Sequence, residues 1–541
     1  MEMNYDENTL RQLENELHTQ IVPGTEIMAD VGTHHFVKSS ATSDRVLVPQ
    51  PSSNPHDPLG MGPLSLAPMF PELIESFDSN LPDVVQFTGI AILVLGFSNF
   101  IWVPLSTSFG RRPVYLASTL ICFGSAIWRA RAQTYGSFMG ACVLNGIAAG
   151  PAETIQPNVI ADIMFLHERG TYQTLYFAFY FGSLMVGPII AGAMAEYAGA
   201  GDKGWRNFWW LNVGLIGATF LMLLFGFPET KWHRMHPDEI RRLEDEKAMQ
   251  SANEKLKGDS KETYDNVETL TSSTPPELSQ ANTAMQDPFL GKGRPSKQQF
   301  SLYNIEGNPL KSVLLDLWIP WKLFAFPIVE FASFIVSWSA SCFLTINLTQ
   351  SQAFMPPPYE FKPLVIGFFN FAILVGAIIG LVTAGPLSDW ISMKLTIRNN
   401  GIREPEMRLL TMIPYFVFML IGNFITAFGW RDQWSWRVIV IVGWACTGIQ
   451  VAALPAIAST YAVDSYKPVS GSIFVSITVN KNLWGYGFSK FITPWVEKSG
   501  YVPPIMTNMS LTALWCLCGI IFWFYGKRFR VWTRNSNVHR L

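Results

Sequence analysis

The chain has 541 residues, of which 49% are hydrophobic, 14% aromatic and only 15% charged, and its formal net charge is −2. Soluble chains usually carry about 25% charged residues, so this composition indicates a membrane protein. The near-zero charge excludes a nucleic-acid binder that relies on bulk positive charge. The six cysteines all lie in apolar stretches, which argues against a disulfide framework or a zinc site. We expect no metal and no cofactor.

Apolar runs of about 20 residues dominate the chain after a polar tail at residues 1–57. Each run is long enough to cross about 30 Å of hydrocarbon as a helix, and none shows the period-2 alternation of barrel strands. The sequence therefore predicts an all-α, polytopic membrane protein. The eleven predicted spans are 84–105, 113–131, 137–161, 172–195, 206–227, 318–347, 363–386, 408–428, 436–461, 470–491 and 505–526.

A long hydrophilic segment divides these spans into five and six. Its Ser, Thr, Glu and Lys content is typical of a linker between two halves. The predicted domains are an N-terminal tail 1–83 with a helix remnant at 59–77, a bundle 84–227, a linker 228–317, a second bundle 318–527 and a tail 528–541.

Basic residues concentrate at one end of the predicted spans, which we assign as cytoplasmic because positive loops stay inside. Arg129, Arg131 and Arg206 disagree, and we place them on short loops. Two sequons then fall outside, at Asn347 and Asn508, and we consider both as glycosylation sites. The cytoplasmic basic set is Arg111, Arg112, Lys394, Arg398, Arg403, Arg408, Lys527, Arg528, Arg530 and Arg534.

Two equivalent halves need six spans each, so the first half lacks one. The candidate is Leu59–Phe77, whose apolar part contains Pro63 and Pro68. About a dozen residues rise only about 18 Å as a helix, too little to cross a bilayer. One interpretation is that most of a first helix is absent; the other is a re-entrant or tilted short helix.

Several motifs, in their order and spacing, resemble those of the major facilitator superfamily, in particular fungal twelve-helix drug:proton antiporters and relatives that carry polyamines and cations. The resemblance covers about residues 45–530, and one departure is Cys142, where an arginine is common. It implies two six-helix-type bundles, here with about 11 full spans. The motifs are Gly110-Arg111-Arg112-Pro113, Gly187-Pro188-Ile-Ile-Ala-Gly192, the stretch 145–153, Gly204-Trp205-Arg206, Pro228-Glu229-Thr230, Gly385–Asp389 and the stretch 461–467.

Relatives also have a complete first helix between an Asp-Pro stretch and a Pro-rich end. Here Asp57-Pro58-Leu59 meets that end almost directly. Our hypothesis is an omission of roughly one span, about 20 residues, through splicing or an incomplete gene model. If the chain is as written, its N-terminal tail is expected outside the cell.

Three charges lie within predicted spans, where each needs a cavity or a partner because burial costs at least about 2.5 kcal/mol. Glu153 could bind protons or a cationic substrate, or satisfy backbone groups freed by nearby prolines. Glu330 could do the same, or reach cytoplasmic water. Lys481 could pair with either acid, bind an anionic group, or form a structural ion pair between the halves. If it pairs with one acid, the other remains available to a cation.

Other polar and aromatic residues complete the candidate substrate- and proton-binding site. These are Asn145 and Gln156 near Glu153, Trp338 beyond Glu330, and Asn482 and Trp484 near Lys481. A second group is expected to gate or shape the helices, with Asp162 and Asp464 at matching places in the two halves. This group is Gly110, Arg111, Arg112, Asp162, Arg169, Gly187, Pro188, Asp389, Asp464 and Lys467.

The resemblance implies a secondary active transporter rather than an enzyme. We expect proton-coupled export of a small organic compound by alternating access, from the plasma membrane, by a monomer whose partners are the bilayer, the substrate and protons. Uptake of organic cations such as polyamines is the alternative within transport. A non-functional truncated membrane protein is the alternative outside it.

Overall fold

The computed structural model describes residues 25–27, 66, 69–163, 179, 182–184, 186–194, 203–230, 309–399, 402–466, 469–533 and 536. Within them the chain is almost entirely helical, with two short strands, β1 (Glu26–Ile27) and β2 (Ile402–Arg403). The helices are α1 (Phe70–Phe77), α2 (Leu81–Phe109), α3 (Arg111–Arg131), α4 (Tyr135–Ile163), α5 (Lys203–Gly226), α6 (Pro309–Leu323), α7 (Pro327–Phe354), α8 (Pro363–Arg398), α9 (Met412–Arg431), α10 (Ala445–Ser465), α11 (Ser470–Ser499) and α12 (Val502–Thr533).

Seven helical segments of the described chain are long and apolar enough to cross a bilayer. This finding confirms the prediction of an all-α, polytopic membrane protein. The more polar helices α3, α4 and α11 have 21, 29 and 30 residues, which is also long enough. Of the predicted span 172–195, residues 182–184 and 186–194 are described, and they are helical.

Proline and irregular turns explain where predicted and observed boundaries differ. The predicted span 318–347 is two helices, because Pro327 starts α7 after a break at residues 324–326. Proline lacks an N–H group and suits the first turn of a helix, where that N–H has no partner. A 3-10 turn at Pro405–Thr411 precedes α9, and a π-helical turn at Val438–Trp444 precedes α10. Helix α6 starts at Pro309, within the predicted linker 228–317.

Successive spans alternate in direction, so each end of the bundle has its own set of loops. We call the end that the basic residues predict to be cytoplasmic the inner end, and the opposite one the outer end. The inner end holds the α2–α3 turn at Gly110, the segment 399–411 and the start of α11. The outer end holds the α3–α4, α7–α8 and α11–α12 connections. Rings of Phe77, Phe87, Phe138 and Trp205 pack together at the outer end of the first half, with centroids 4.7–6.0 Å apart.

Helix α1 is the described part of the proposed first-helix remnant. It has 8 residues, which at 1.5 Å per residue is about 12 Å, so it cannot span a bilayer. It caps the outer end of the first half, where Phe70 and Leu73 are buried and Ser76 accepts a 3.0 Å hydrogen bond from the Trp205 indole. Residues 59–65, 67 and 68 of the predicted remnant lie outside the described residues, so the remnant as a whole stays a prediction.

Strand β1 contradicts the expectation that the N-terminal tail lies outside. It pairs antiparallel with β2, Glu26 opposite Arg403 and Ile27 opposite Ile402. The Thr25 hydroxyl donates to Glu404 at 3.1 Å and accepts from Arg530 at 3.2 Å. These partners belong to the α8–α9 segment and the end of α12, both at the inner end. Residues 25–27 therefore lie at the end of the bundle that the basic residues predict to be cytoplasmic.

Candidate functional site

The centre of the bundle is built on α2, which packs between α4 of the first half and α11 of the second. Close approach depends on small residues: a Cβ at Gly96 would lie 2.7 Å from the Cβ of Asn482. Gly146 and Gly150 of α4 face α2 in the same way. These small residues let α2 approach both α4 and α11 closely.

Lys481 and Glu153 form an ion pair between the two halves. The Lys481 ammonium contacts Oε1 of Glu153, and the Asn482 amide donates to Oε2 at 3.3 Å. The Lys481 side chain is 23% exposed and that of Glu153 10%. Of the two acids that the sequence offered to Lys481, the structure brings Glu153 to it, so both oxygens of this carboxylate are engaged.

Glu330 is separate from this pair. It lies in the first turn of α7, and its Oε2 accepts a 3.4 Å hydrogen bond from Asn480. Its Oε1 is buried and has no hydrogen-bond partner within the described residues. Glu330 is therefore the intramembrane acid that is not neutralised by Lys481.

An aromatic cluster lies on the outer side of both acids. Trp338 packs against Trp484 with ring centroids 4.9 Å apart and meets Phe488 edge-on at 5.3 Å. Phe334 stacks on Trp515 at 4.3 Å. The indole N–H of Trp338 is buried without a hydrogen-bond partner in the described chain, while Trp484 is partly exposed. The two predicted tryptophans are thus in contact, and the indole N–H of Trp338 remains able to donate a hydrogen bond to a ligand.

Asn145 and Gln156 make hydrogen bonds with α3 rather than with the ion pair, and their role in binding substrate or protons stays a prediction. Asn145 accepts from Arg129 at 3.2 Å, and Gln156 accepts from the Tyr115 hydroxyl at 2.6 Å. Both contacts join α4 to α3. At 100° per residue, Asn145 lies about 80° and Gln156 about 60° around the helix from Glu153, enough to face a neighbouring helix.

Arg129 was assigned to a short loop, yet it is fully buried inside α3. Its guanidinium lies 4.5 Å from the Trp209 ring centroid and beside the Cys142 thiol. Cys142 stands where relatives commonly have an arginine, so a cation from α3 reaches the same neighbourhood. Sequence reasoning missed this residue because a basic residue next to a turn is usually exposed.

The motif between α2 and α3 serves helix capping. Gly110 has φ = 106°, a conformation that favours glycine. The Glu229 carboxylate accepts backbone hydrogen bonds from Arg111 at 2.8 Å and Arg112 at 3.1 Å. The guanidinium of Arg112 donates to the carbonyl of Leu224 at 2.8 Å. A carboxylate is stabilised at a helix N-terminus by the helix dipole. The motif Pro228-Glu229-Thr230 therefore contains a residue that could cap a helix, although Glu229 is not among the predicted site residues.

Arg408 joins two of the predicted gating acids at the inner end of the second half. It contacts Asp389 at 3.1 Å and Asp464 at 2.7 Å. Asp464 therefore pairs with Arg408, and two basic members of the predicted gating group, Lys467 and Arg169, lie outside the described residues. Asp162 belongs to the last turn of α4, and its side chain is not among those described. The matching pair in the first half stays a prediction.

Gly187 and Pro188 lie at a seam between the halves, rather than only shaping their own helix. A Cβ at Gly367 of α8 would lie 3.1 Å from the Pro188 carbonyl oxygen, and one at Gly192 would lie 2.8 Å from that of Pro363. The backbones of residues 186–194 and α8 therefore approach closely near the outer end. Gly192 and Gly367 are the residues that permit this contact.

The structure does not support glycosylation at the two sequons. Asn347 is 1% exposed and Asn508 is 0% exposed, and both lie within helices α7 and α12. Asn508 donates to Thr345 at 2.6 Å. A glycan needs an accessible asparagine outside the bilayer, and both side chains are buried, that of Asn508 joining α12 to α7.

Comparison with known proteins decides the family. The sequence profile described as Major Facilitator Superfamily matches residues 60–489. The chain belongs to the major facilitator superfamily. Among similar members are an uncharacterized MFS-type transporter of Schizosaccharomyces pombe, 24% identical over 97% of this chain and 95% of its own length, and Protein HOL1 of Saccharomyces cerevisiae, 24% identical over 96% and 97%. A probable efflux pump, mfs2 of Aspergillus flavus, is 22% identical over 81% and 91%.

Solved structures of the superfamily share the fold. The xylose transporter XylE from E. coli, in a partially occluded inward-open conformation, superposes with a TM-score of 0.55 at 14% identity, covering 86% of this chain and 94% of XylE. The human organic anion transporter MFSD10 gives 0.50 at 14% identity, covering 85% and 97%. The predicted family is confirmed, and with it secondary transport by alternating access.

The family gives the central contacts a mechanical meaning. A superfamily transporter exposes its site by rocking one half against the other. The Glu153–Lys481 pair, the Gly96–Asn482 contact and the Gly367–Pro188 contact all join the two halves. Rocking of the halves must therefore change the distance across each of these three contacts. The Asp389–Arg408–Asp464 contacts, in contrast, stay within the second half.

Proposed function

We propose that the chain is a proton-coupled exporter of a small organic compound at the plasma membrane and acts as a monomer. The observation that carries the proposal is the Glu153–Lys481 ion pair between the halves. If rocking separates the pair, each charge is left in a medium where isolated ions are costly. Protonation of Glu153 removes one of the two charges, so proton binding and separation of the halves favour each other. Similarity to a probable efflux pump supports export as the direction.

Uptake of an organic cation is a second candidate, supported by Glu330. Its Oε1 has no partner among the described residues, and the tryptophans 338 and 484 on its outer side can contact a cation through their ring faces. In this alternative Glu153 remains engaged by Lys481 and Glu330 binds the cargo. A third candidate, a truncated protein that transports nothing, rests on the missing span.

Metabolite comparison separates these candidates. Untargeted profiling of a deletion strain and its parent should show a compound that accumulates inside the deletion strain and is depleted outside it. The opposite change for an amine would favour cation uptake. No difference, together with transport restored only after a complete first helix is added, would favour the truncated protein.

Proton coupling through Glu153 is tested with the compound so identified, in proteoliposomes under an imposed pH gradient. Glu153→Gln should abolish gradient-driven transport, and Lys481→Arg should retain it because the positive charge remains. Glu497→Gln, which changes an exposed acid at the outer end of α11, is the control. Unchanged gradient-driven transport by Glu153→Gln would remove Glu153 from the mechanism. A selective loss in Glu330→Gln would transfer the role to the second candidate.

A further inference from the structure

Two adjoining cavities open at the inner end of the second half. The first, about 460 Å³, lies between the ends of α8 and α12, and Arg398, Asn399 and Lys527 are among its lining residues. The second, about 450 Å³, is an apolar groove between α9 and α12. Trp523 and Phe524 line both. A polar chamber therefore continues directly into an apolar groove.

The lining of the polar chamber carries two cations, Arg398 and Lys527, and two acids, Glu404 and Glu406. Its two acids are already engaged: Glu404 contacts Lys527 at 3.1 Å and also pairs with Arg530, and Glu406 pairs with Arg530 at 2.8 Å. Arg398 makes no ion pair within the described residues and is exposed. Lys527 and Arg530 together neutralise the two carboxylates, and Arg530 does not line the chamber. Arg398 is therefore the lining cation whose charge is not balanced.

The apolar groove faces the hydrocarbon. Ile413, Leu517 and Ile520 on its walls are 59%, 53% and 57% exposed, as expected for side chains that contact acyl chains. From Leu517 to Lys527, ten residues of helix span about 15 Å, so the groove descends from the chamber into the inner leaflet. Trp523 lies at the junction, and tryptophan favours the boundary between headgroups and hydrocarbon.

We propose that these cavities form a binding site for an anionic phospholipid of the inner leaflet. The phosphate and its negative headgroup bind Arg398 and Lys527 in the chamber, and an acyl chain lies in the groove between α9 and α12. The occupant is a lipid because the basic chamber and the apolar groove are continuous, and because the cytoplasmic leaflet supplies anionic lipids to basic pockets between helices. A lipid held here would connect the α8–α9 segment to the end of α12.

The test is native mass spectrometry of the purified full-length protein mixed with phosphatidylserine and phosphatidylcholine of identical acyl chains. We expect preferential retention of phosphatidylserine. Arg398→Gln should weaken that binding about fivefold, the effect of one surface cation on an anionic lipid, whereas Arg398→Lys should retain it. Arg437→Gln removes an exposed arginine at the outer end and is the matched control.

The groove is tested separately by filling it. Ile520→Trp should weaken phosphatidylserine binding, while Ile521→Trp should not, because Ile521 is similarly exposed at 51% but does not line the groove. Equal retention of both lipids, or unchanged binding by Arg398→Gln, would overturn the proposal. So would competition by soluble glycerophosphoserine at the same concentration as the lipid, since that result would indicate a free-anion site.

Discussion

The sequence offers Lys481 two carboxylates, Glu153 and Glu330, and which one it pairs with determines which acid is left for another ligand. Asn480 and Lys481 are consecutive on α11, so their side chains diverge by about 100°. Asn480 meets Glu330 of α7, and Lys481 meets Glu153 of α4. The sequence identified all three charges because charges within spans are rare, but it left the pairing open. Only the rotation of α11 about its axis decides it.

Glu72 shows how burial changes the chemistry of a surface acid. It lies in α1, where its Oε2 is buried without a hydrogen-bond partner in the described chain. Burial, with a smaller contribution from Glu75, raises its pKa to about 7, against the opposing effect of a hydrogen bond from the Trp205 backbone. The protonated form is therefore favoured in the docked helix. The stability that docking contributes is complete below the unfolded pKa near 4.5 and falls as the pH rises toward 7.

A matched pair of variants tests this pH dependence. Glu72→Gln should leave the Tm of the purified protein nearly unchanged at pH 4, below the unfolded pKa, and raise it at pH 8, by at least about 2 °C, because glutamine imitates the protonated acid. Asp78→Asn, at an exposed acid of the same segment, should keep the wild-type pH dependence. Differences of equal size at both pH values would show that Glu72 does not titrate in this range.

Helix α3 shows the dependence of one element on a distant residue. Its first N–H groups would have no partner, as at the start of any helix, but the Glu229 carboxylate, which follows α5, accepts two of them. This contact joins the end of α5 to the start of α3 across 118 residues of sequence. It also requires Gly110, because a Cβ there would overlap the carboxylate.

Removing this cap should destabilise the first half. Glu229→Ala leaves two buried donors without acceptors, and a lost cap of this kind costs about 1–2 kcal/mol. We expect a lower Tm in thermal unfolding of the detergent-purified protein, with Glu229→Gln intermediate because it retains one acceptor oxygen. Glu497→Ala, an exposed acid, should have no effect. An unchanged Tm for Glu229→Ala would show that water replaces the carboxylate.

Most spanning helices were predictable from apolar runs, whereas their ends were not. Runs of about 20 apolar residues indicate a crossing because of the thickness of the hydrocarbon. The ends depend on local chemistry, as at Pro327, or continue into water without a change of conformation, as in α8, which extends to Arg398. Hydropathy detects the boundary of the bilayer, which is not the boundary of the helix.

The described parts of the N-terminal region lie at opposite ends of the molecule. Strand β1 binds the inner end, next to Arg530, and α1 caps the outer end, next to Trp205. Connecting these ends requires a path across the bilayer. Residues 28–68 contain no apolar run of about 20 residues. This topology supports the hypothesis that the sequence omits a span.

Transcript sequencing and tag accessibility test this hypothesis together. We expect the message to encode an additional apolar segment between Asp57 and Leu66, and a tag at the N-terminus to react with antibody only in permeabilised cells. A message that reads straight through Leu59-Gly60-Met61 would rule out the omission. A tag accessible on intact cells would contradict the pairing of β1 with β2 on the cytoplasmic side.

The sequence by itself determined the class of protein, the order of its apolar runs, the family, and the charged residues within those runs. These follow from composition and from local runs, because the hydrocarbon imposes the same requirement on every span. Only the tertiary structure decided that Lys481 pairs with Glu153, that Asn145 faces Arg129, and that β1 pairs with β2. These contacts join residues far apart in sequence, and they depend on how each helix is rotated and packed, which no local pattern specifies.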